Sequence, residues 1–241
     1  MIFATLGNIV RGRQGIIRFL GLVSGLGLLW GQRHNEIDSL EALLRRPKVA
    51  DTTVLSAYTT LARLYLSVDP PKALGYARQL TERAQEARDL RRQVLGWYYQ
   101  AAAHYHLRRY EESERTLLQA ESLSLQIPPD TGILVQFKSL RAAIFEGRKE
   151  SPSRTLSAYQ EALDLARQSR QPRLLVMAFI NLAEFYVNEG LYELARSLLE
   201  EAGALAEKSG ESDHLRNAYL IFSEYYRRQG MIDSALVVLS W

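Results

Sequence analysis

Cysteine is missing from this chain of 241 residues. Without a thiol there can be no disulfide framework, no thiolate metal site and no cysteine nucleophile. An excess of one charge is lacking too, since 30 Lys and Arg residues stand against 27 Asp and Glu residues and leave a net charge of +3. Arginine pairs such as Arg91-Arg92 are isolated among acids, as is typical of solvated helix faces and ends. We therefore expect no nucleic-acid partner from these residues.

Acidic residues are absent before Glu36, whereas Arg11 and Arg13 precede an apolar run at residues 19–31. A basic segment followed by such a run is typical of a secretory signal peptide, and the run is shorter than the roughly 20 residues that span a bilayer. We expect residues 1–31 to be a signal peptide or an N-terminal apolar anchor of an exported protein, periplasmic or membrane-associated, with membrane contact through this segment only. The alternative is an N-terminal arm on a cytoplasmic protein.

The remainder of the chain contains a repeat. Aromatic residues recur in a similar local context about every 40 residues, within the period of 20–50 that is typical of solenoids. These anchors are Tyr58, Trp97, Phe137, Phe179 and Tyr219.

Each repeat has the apolar spacing of a helix pair. Phe179, Leu182, Ala183 and Tyr186 lie at i, i+3, i+4 and i+7, which places them on one helix stripe. Gly190 follows as the expected residue after a helix end. A second helix with small residues at 195 and 202 comes next, and small residues let paired helices approach closely. Such pairs must stack on their neighbours to bury their apolar faces.

The pattern resembles the tetratricopeptide repeat (TPR) over most of residues 51–241. The unit that matches best has Phe179, Leu182, Ala183, Tyr186, Gly190, Tyr192, Ala195, Leu199 and Ala202. Other units depart from the pattern: Gln100 stands where a Leu is expected, and an insertion surrounds residues 151–153. The resemblance implies an all-α, right-handed superhelical solenoid of antiparallel helix pairs.

The long repeats are also similar to the sensor portion of TPR-containing two-component histidine kinases and related regulators. We therefore expect an export segment at 1–31, a short lead-in helix at 32–50, and about five helix pairs at 51–241, the last incomplete. The implied function is a non-catalytic scaffold for a protein or peptide, acting as the extracytoplasmic sensor of a signalling protein whose output part is absent. The alternative is a cytoplasmic TPR adaptor or the regulatory array of a transcription regulator.

No catalytic, metal or cofactor site is expected. His104 and His106 are two residues apart on a predicted helix and point in different directions, so they cannot share a metal ion. The chain has no H-E-x-x-H, G-x-S-x-G, P-loop or G-x-G-x-x-G pattern. We predict that the protein is not an enzyme.

The resemblance implies a groove lined by the first helix of each pair. Its apolar and aromatic content favours an amphipathic helix or an extended peptide as the ligand, and the alternative is that the aromatic residues pack between repeats. The predicted groove residues are Leu95, Tyr98, Tyr105, Val135, Lys138, Phe145, Met177, Ile180, Glu184, Leu220, Glu224 and Arg227.

The apolar ending at residues 231–241 has two interpretations. Solenoids usually finish with a polar capping helix, and this ending is apolar. Either Trp241 is an edge that docks on a partner, with self-association through the last helix, or the sequence is a fragment of a longer protein.

Overall fold

The computed structural model describes residues 34–209 and 212–238, and all regular secondary structure within these ranges is α-helical. The predicted export segment, residues 1–31, lies outside the described residues, as does Trp241. The described helices are α1 (34–44), α2 (Asp51–Tyr65), α3 (Pro70–Glu86), α4 (Leu90–His106), α5 (Tyr110–Ser124), α6 (Thr131–Gly147), α7 (Pro152–Ser169), α8 (Pro172–Asn188), α9 (Tyr192–Ser209), α10 (Ser212–Arg228) and α11 (Ile232–Val238).

The chain divides into two compact units, with the boundary inside α7. The N-terminal unit is Gln32–Ala158, and the described part of the C-terminal unit begins at Tyr159. In the N-terminal unit each helix from α2 to α5 contacts the next, and α4 also contacts α2 and α6. In the C-terminal unit α8 contacts both α9 and α10, and α10 contacts α9 and α11. Contact with the next helix and with the next but one is the packing of stacked helix pairs.

Aspartate side chains fix the starts of three helices. Asp69, Asp89 and Asp130 precede α3, α4 and α6, and each accepts a hydrogen bond from the backbone amide three residues further on, at 3.1, 2.9 and 3.2 Å. These bonds satisfy amides that have no partner inside the helix, and the negative charge is favourable at a helix N-terminus.

Residues in the left-handed region end most of the helices. Gly190 and Gly230 both have φ of 75°, and the amide of Leu191 donates to the carbonyl of Tyr186 at 2.8 Å, which closes the end of α8. The predicted glycine turn at Gly190 is confirmed. After five other helices this conformation is adopted by basic residues, namely Lys48, Arg88, Arg108, Lys149 and Arg170.

Small residues bring paired helices together, as predicted. Ala195 and Ala202 are fully buried. Gly96 also allows a close approach, since a Cβ added there would lie 2.3 Å from Thr81 Oγ1. Beside it, the Gln100 Nε2 amide donates to Thr81 Oγ1 at 2.8 Å, and both side chains are buried. This hydrogen bond explains why Gln occupies a position at which the repeat pattern has Leu.

The residues around 151–153 form the beginning of α7, which starts at Pro152. Proline is favourable at the first helical position because its missing amide would have no partner there. The turn before α7, residues 148–151, is one residue longer than the turn before α9, residues 189–191, and both helices have 18 residues.

Candidate partner-binding surface

In the N-terminal unit, the predicted groove residues of α4 pack against other helices. Leu95, Tyr98 and Tyr105 are half-buried and lie against the apolar cluster that joins α4, α5 and α6. The Tyr98 ring centroid is 6.1 Å from that of Phe137, and the Tyr105 centroid is 5.9 Å from that of Tyr110. Burial raises the pKa of Tyr98 well above its ordinary value. The packing interpretation of these aromatic residues is therefore the one that the structure favours.

The predicted groove residues of α6 are even less accessible. Val135 is fully buried and Phe145 is 6% exposed, so neither presents a surface to a ligand, while Lys138 is half-buried. The Arg154 guanidinium lies 4.2 Å from the Phe145 ring centroid. Here the structure differs from the expected groove, because Val135 and Phe145 are covered by neighbouring groups.

In the C-terminal unit several predicted positions do reach solvent. On α8, Glu184 is exposed and Met177 is half-buried, although Ile180 is only 7% exposed. On α10, Leu220 is 49% exposed and Arg227 is exposed. The structure therefore leaves part of the predicted face of α8 and α10 open to solvent.

Fixed charges lie next to Leu220 on α10. Glu224 accepts two hydrogen bonds of 2.6 Å from the Arg227 guanidinium and one of 2.6 Å from Arg228 Nε. These bonds, first those from Arg227, lower the pKa of Glu224 to about 2, so its carboxylate stays ionised at neutral pH. Arg228 also reaches α8, where its Nη1 lies 3.5 Å from the carbonyl oxygen of Val187.

Two exposed residues of α8 were missed by the sequence argument. Arg173 and Asn188 are both exposed. Arg173 lies four residues before Met177, and Asn188 lies four residues after Glu184. All four residues therefore share one face of α8. The helical period alone could have identified them. We call the exposed and half-buried set on these two helices the α8–α10 face; its members are Arg173, Met177, Glu184, Asn188, Leu220, Glu224 and Arg227.

A second feature of the C-terminal unit is an open cavity of about 360 Å³ between α7 and α8. Leu163 and Leu182, which are 5% and 3% exposed, lie at its apolar side. Asp164 and Arg167 line it as an exposed ion pair with a 3.6 Å separation, together with Tyr186. The sequence had assigned Leu182 and Tyr186 to the repeat pattern alone, so it gave no signal for this cavity.

Within the described ranges, no cluster of three or more His, Cys, Asp or Glu residues could hold a metal ion, and no helix is long and apolar enough to cross a membrane. His104 Nδ1 is buried and has no hydrogen-bond partner among these residues. Burial lowers the pKa of His104, so its imidazole is neutral at pH 7.

Comparison with known proteins gives structural neighbours. No family model matches the chain, and none of the curated proteins matches it. Among solved structures, a Rap protein complexed with competence and sporulation factor is similar with a TM-score of 0.65 at 14% identity, over 88% of this chain and 70% of that one. Aspartyl phosphate phosphatase F from Bacillus subtilis has a TM-score of 0.57 at 16% identity, over 98% of this chain and 65% of that one.

A third similar structure is a signal transduction ATPase with a tetratricopeptide repeat sensor from Pyrococcus horikoshii. Its TM-score is 0.54 at 19% identity, and the match covers 85% of this chain but only 32% of that protein. At such identities the similarity concerns the fold and does not carry over an activity. The predicted fold class, an all-α tetratricopeptide-type array of helix pairs, is confirmed.

Proposed function

We propose that the chain is a non-catalytic tetratricopeptide-type scaffold that binds a protein or peptide through the α8–α10 face. The observation that carries the proposal is Leu220, an aliphatic side chain 49% exposed on the same helix face as the charged Glu224 and Arg227. An exposed apolar anchor with charges held beside it suits a peptide that presents both apolar and polar side chains. Because the Glu224 carboxylate is held by Arg227 and Arg228, the charges need little reordering when a ligand binds.

The structural neighbours support this proposal. One of them is a Rap protein in complex with competence and sporulation factor, and in another the repeats form a sensor. A phosphatase is also among them, but fold similarity at 16% identity is no ground for assigning its activity to this chain. The common element is an array of helix pairs, which offers an extended surface for a partner.

The proposal is tested by photo-crosslinking from a single position. A benzophenone amino acid at Leu220 should give a discrete adduct when the protein is incubated with an extract of its own source cells. The matched control is Leu118, which is 52% exposed on α5 in the N-terminal unit. Equal labelling from both positions, or none from position 220, would show that the α8–α10 face is not the binding surface.

We further propose that the scaffold is an extracytoplasmic sensor module of a signalling protein. Support comes from the basic and then apolar pattern of residues 1–31 and from the similarity of the repeats to kinase sensor portions. Fractionation of cells that express the chain with and without residues 1–31 tests the location. A full-length protein that stays unprocessed in the cytoplasm would contradict the sensor proposal and favour the cytoplasmic adaptor.

A further inference from the structure

Helix α1 is attached to the N-terminal unit by a small apolar contact. Of its side chains only Ile37 is buried, at 6% exposure, and it belongs to a cluster with Leu61 and Leu64 of α2. Leu40 and Leu44 of α1 are half-buried against the same cluster. Ile37, Leu40 and Leu44 lie at i, i+3 and i+7, so they form one stripe of the helix.

A fourth residue of α1, Glu41, makes a polar contact with the same unit. One carboxylate oxygen of Glu41 accepts hydrogen bonds from the hydroxyls of Tyr65 and Tyr76, at 2.7 and 2.9 Å. The two rings are stacked with centroids 5.6 Å apart, and the Lys72 ammonium lies 5.1 Å from the Tyr65 ring. These hydrogen bonds hold the pKa of Glu41 below its ordinary value, so the acceptor is a carboxylate at neutral pH.

We propose that the surface formed by Leu61, Leu64, Tyr65 and Tyr76, here called the tyrosine surface, is a docking site for an amphipathic helix, and that α1 occupies it as an internal ligand. The partner that fits is a helix with apolar residues at i, i+3 and i+7 and a carboxylate at i+4. This interaction is separate from the proposed binding at the α8–α10 face, because it uses residues of the N-terminal unit only.

Two properties make α1 replaceable by another helix. Among its described residues only Ile37 is buried, so little apolar area holds the helix in place. Its recognition also rests on a pattern that other amphipathic helices can present. Because α1 is part of the same chain, its effective concentration at the tyrosine surface is high and it outcompetes a free helix. A free partner can bind once the contact of α1 is weakened.

The test uses the full chain and a fluorescent synthetic peptide with the sequence of residues 34–46. Replacing Ile37→Asp in the full chain removes the one buried apolar contact of the tethered helix while leaving the tyrosine surface intact. The peptide should then bind about tenfold or more tightly to the Ile37→Asp chain than to the unchanged chain, because the internal competitor is gone. Fluorescence anisotropy gives both dissociation constants.

Paired peptides show whether recognition is specific. Glu41→Gln in the peptide weakens the acceptor of both tyrosine hydroxyls and should reduce affinity about tenfold, whereas Asp38→Asn neutralises an exposed residue and should leave affinity unchanged. Tyr65→Phe together with Tyr76→Phe in the full chain should remove the difference between the peptides. Equal loss from Asp38→Asn and Glu41→Gln would overturn the proposal.

Two further outcomes would contradict it. If the Ile37→Asp chain keeps hydrogen-exchange protection in α2 to α5 but shows no saturable peptide binding, α1 is a permanent cap and the surface has no external ligand. If both chains bind equally well, α1 does not compete for the surface. Should Ile37→Asp fail to fold, Glu41→Lys undocks α1 in another way, since it places an ammonium beside that of Lys72.

Discussion

The two units of this protein differ in how far their predicted groove positions are open to solvent. In the N-terminal unit the predicted groove positions Val135 and Phe145 are buried, at 0% and 6% exposure. In the C-terminal unit Leu220 is 49% exposed and Glu184 is also exposed. The repeat pattern therefore determines which helix face a residue occupies. Whether that face is packed or open depends on its neighbours in space.

The helix ends differ as well. In the N-terminal unit Arg108 and Lys149 take the left-handed conformation, whereas Gly190 and Gly230 do so in the C-terminal unit, which also keeps one basic residue, Arg170. A cation is favourable at a helix C-terminus, but a Cβ in this conformation costs roughly 1 kcal/mol that glycine avoids. The same turn is therefore stabilised by charge at some positions and by backbone freedom at others.

The largest expected effect is the difference in unfolding free energy between substitutions at the buried Phe145 and at the exposed Leu220. Phe145→Ala should lower the free energy of unfolding by about 3–5 kcal/mol, because it leaves a cavity beneath Arg154. Leu220→Ala should change it by less than about 0.5 kcal/mol. Urea unfolding followed by circular dichroism measures both variants. Similar losses from the two substitutions would remove the distinction between the units.

Close packing in the N-terminal unit is tested at Gly96. Gly96→Ala should lower the free energy of unfolding by about 1–3 kcal/mol, because the added methyl group meets Thr81 Oγ1. The matched control is Gly75→Ala in α3, where nothing lies within 4 Å of the added group, and it should stabilise the helix by about 0.5–1 kcal/mol. A neutral result at position 96 would mean that α3 and α4 can separate without loss.

The hydrogen bonds of Glu41 should make the N-terminal unit sensitive to acid. Because the folded pKa of Glu41 is depressed, its contribution is fully present above the unfolded pKa of about 4.3 and is lost as the pH falls through the folded pKa. Glu41→Gln should lower the free energy of unfolding at pH 7 by about 1 kcal/mol. The charged and titratable groups around this carboxyl are Tyr65, Tyr76, Lys72 and Arg45.

Urea unfolding of Glu41→Gln and of the unchanged chain between pH 7 and pH 3 measures this dependence. The difference between the two proteins should shrink as the pH falls below the unfolded pKa of about 4.3. A difference that stays constant down to pH 3 would show that the charge of Glu41 does not contribute.

The smallest effect compares the helix ends of the two units. Gly190→Ala should lower the free energy of unfolding by about 1 kcal/mol, because alanine is strained at φ of 75°. Arg108→Gly should raise it by less than about 1 kcal/mol, since relief of the same strain is offset by the flexibility of glycine in the unfolded chain and the lost cation. Thermal unfolding would contradict this comparison if both substitutions shifted the midpoint in one direction.

The helices themselves could be predicted from sequence because they depend on local spacing. The stripe at Phe179, Leu182 and Tyr186 and the turn at Gly190 need only the helical period and the freedom of glycine at positive φ. The acceptor role of Glu41 could not be foreseen, because its partners Tyr65 and Tyr76 are 24 and 35 residues away and meet it only after α1 packs.

The candidate surface was harder to predict for a related reason. The positions carried over from the tetratricopeptide resemblance were chosen by helix face alone, but exposure depends also on the side chains of neighbouring helices. Arg154 lies over Phe145 from the next helix, and no pattern in α6 indicates it. Arg173 and Asn188, in contrast, follow from the period of α8 and were within reach of the sequence.

The hydrogen bond between Gln100 and Thr81 makes the contact between α3 and α4 specific, although the helices of this chain are similar to one another. If α4 were placed beside a helix without an acceptor at the position of Thr81, the buried Gln100 amide would be left unpaired at a cost of about 1–3 kcal/mol. An order of repeats that separates these two side chains is thereby penalised. The repeats of this protein are therefore not exchangeable copies at the interface between α3 and α4.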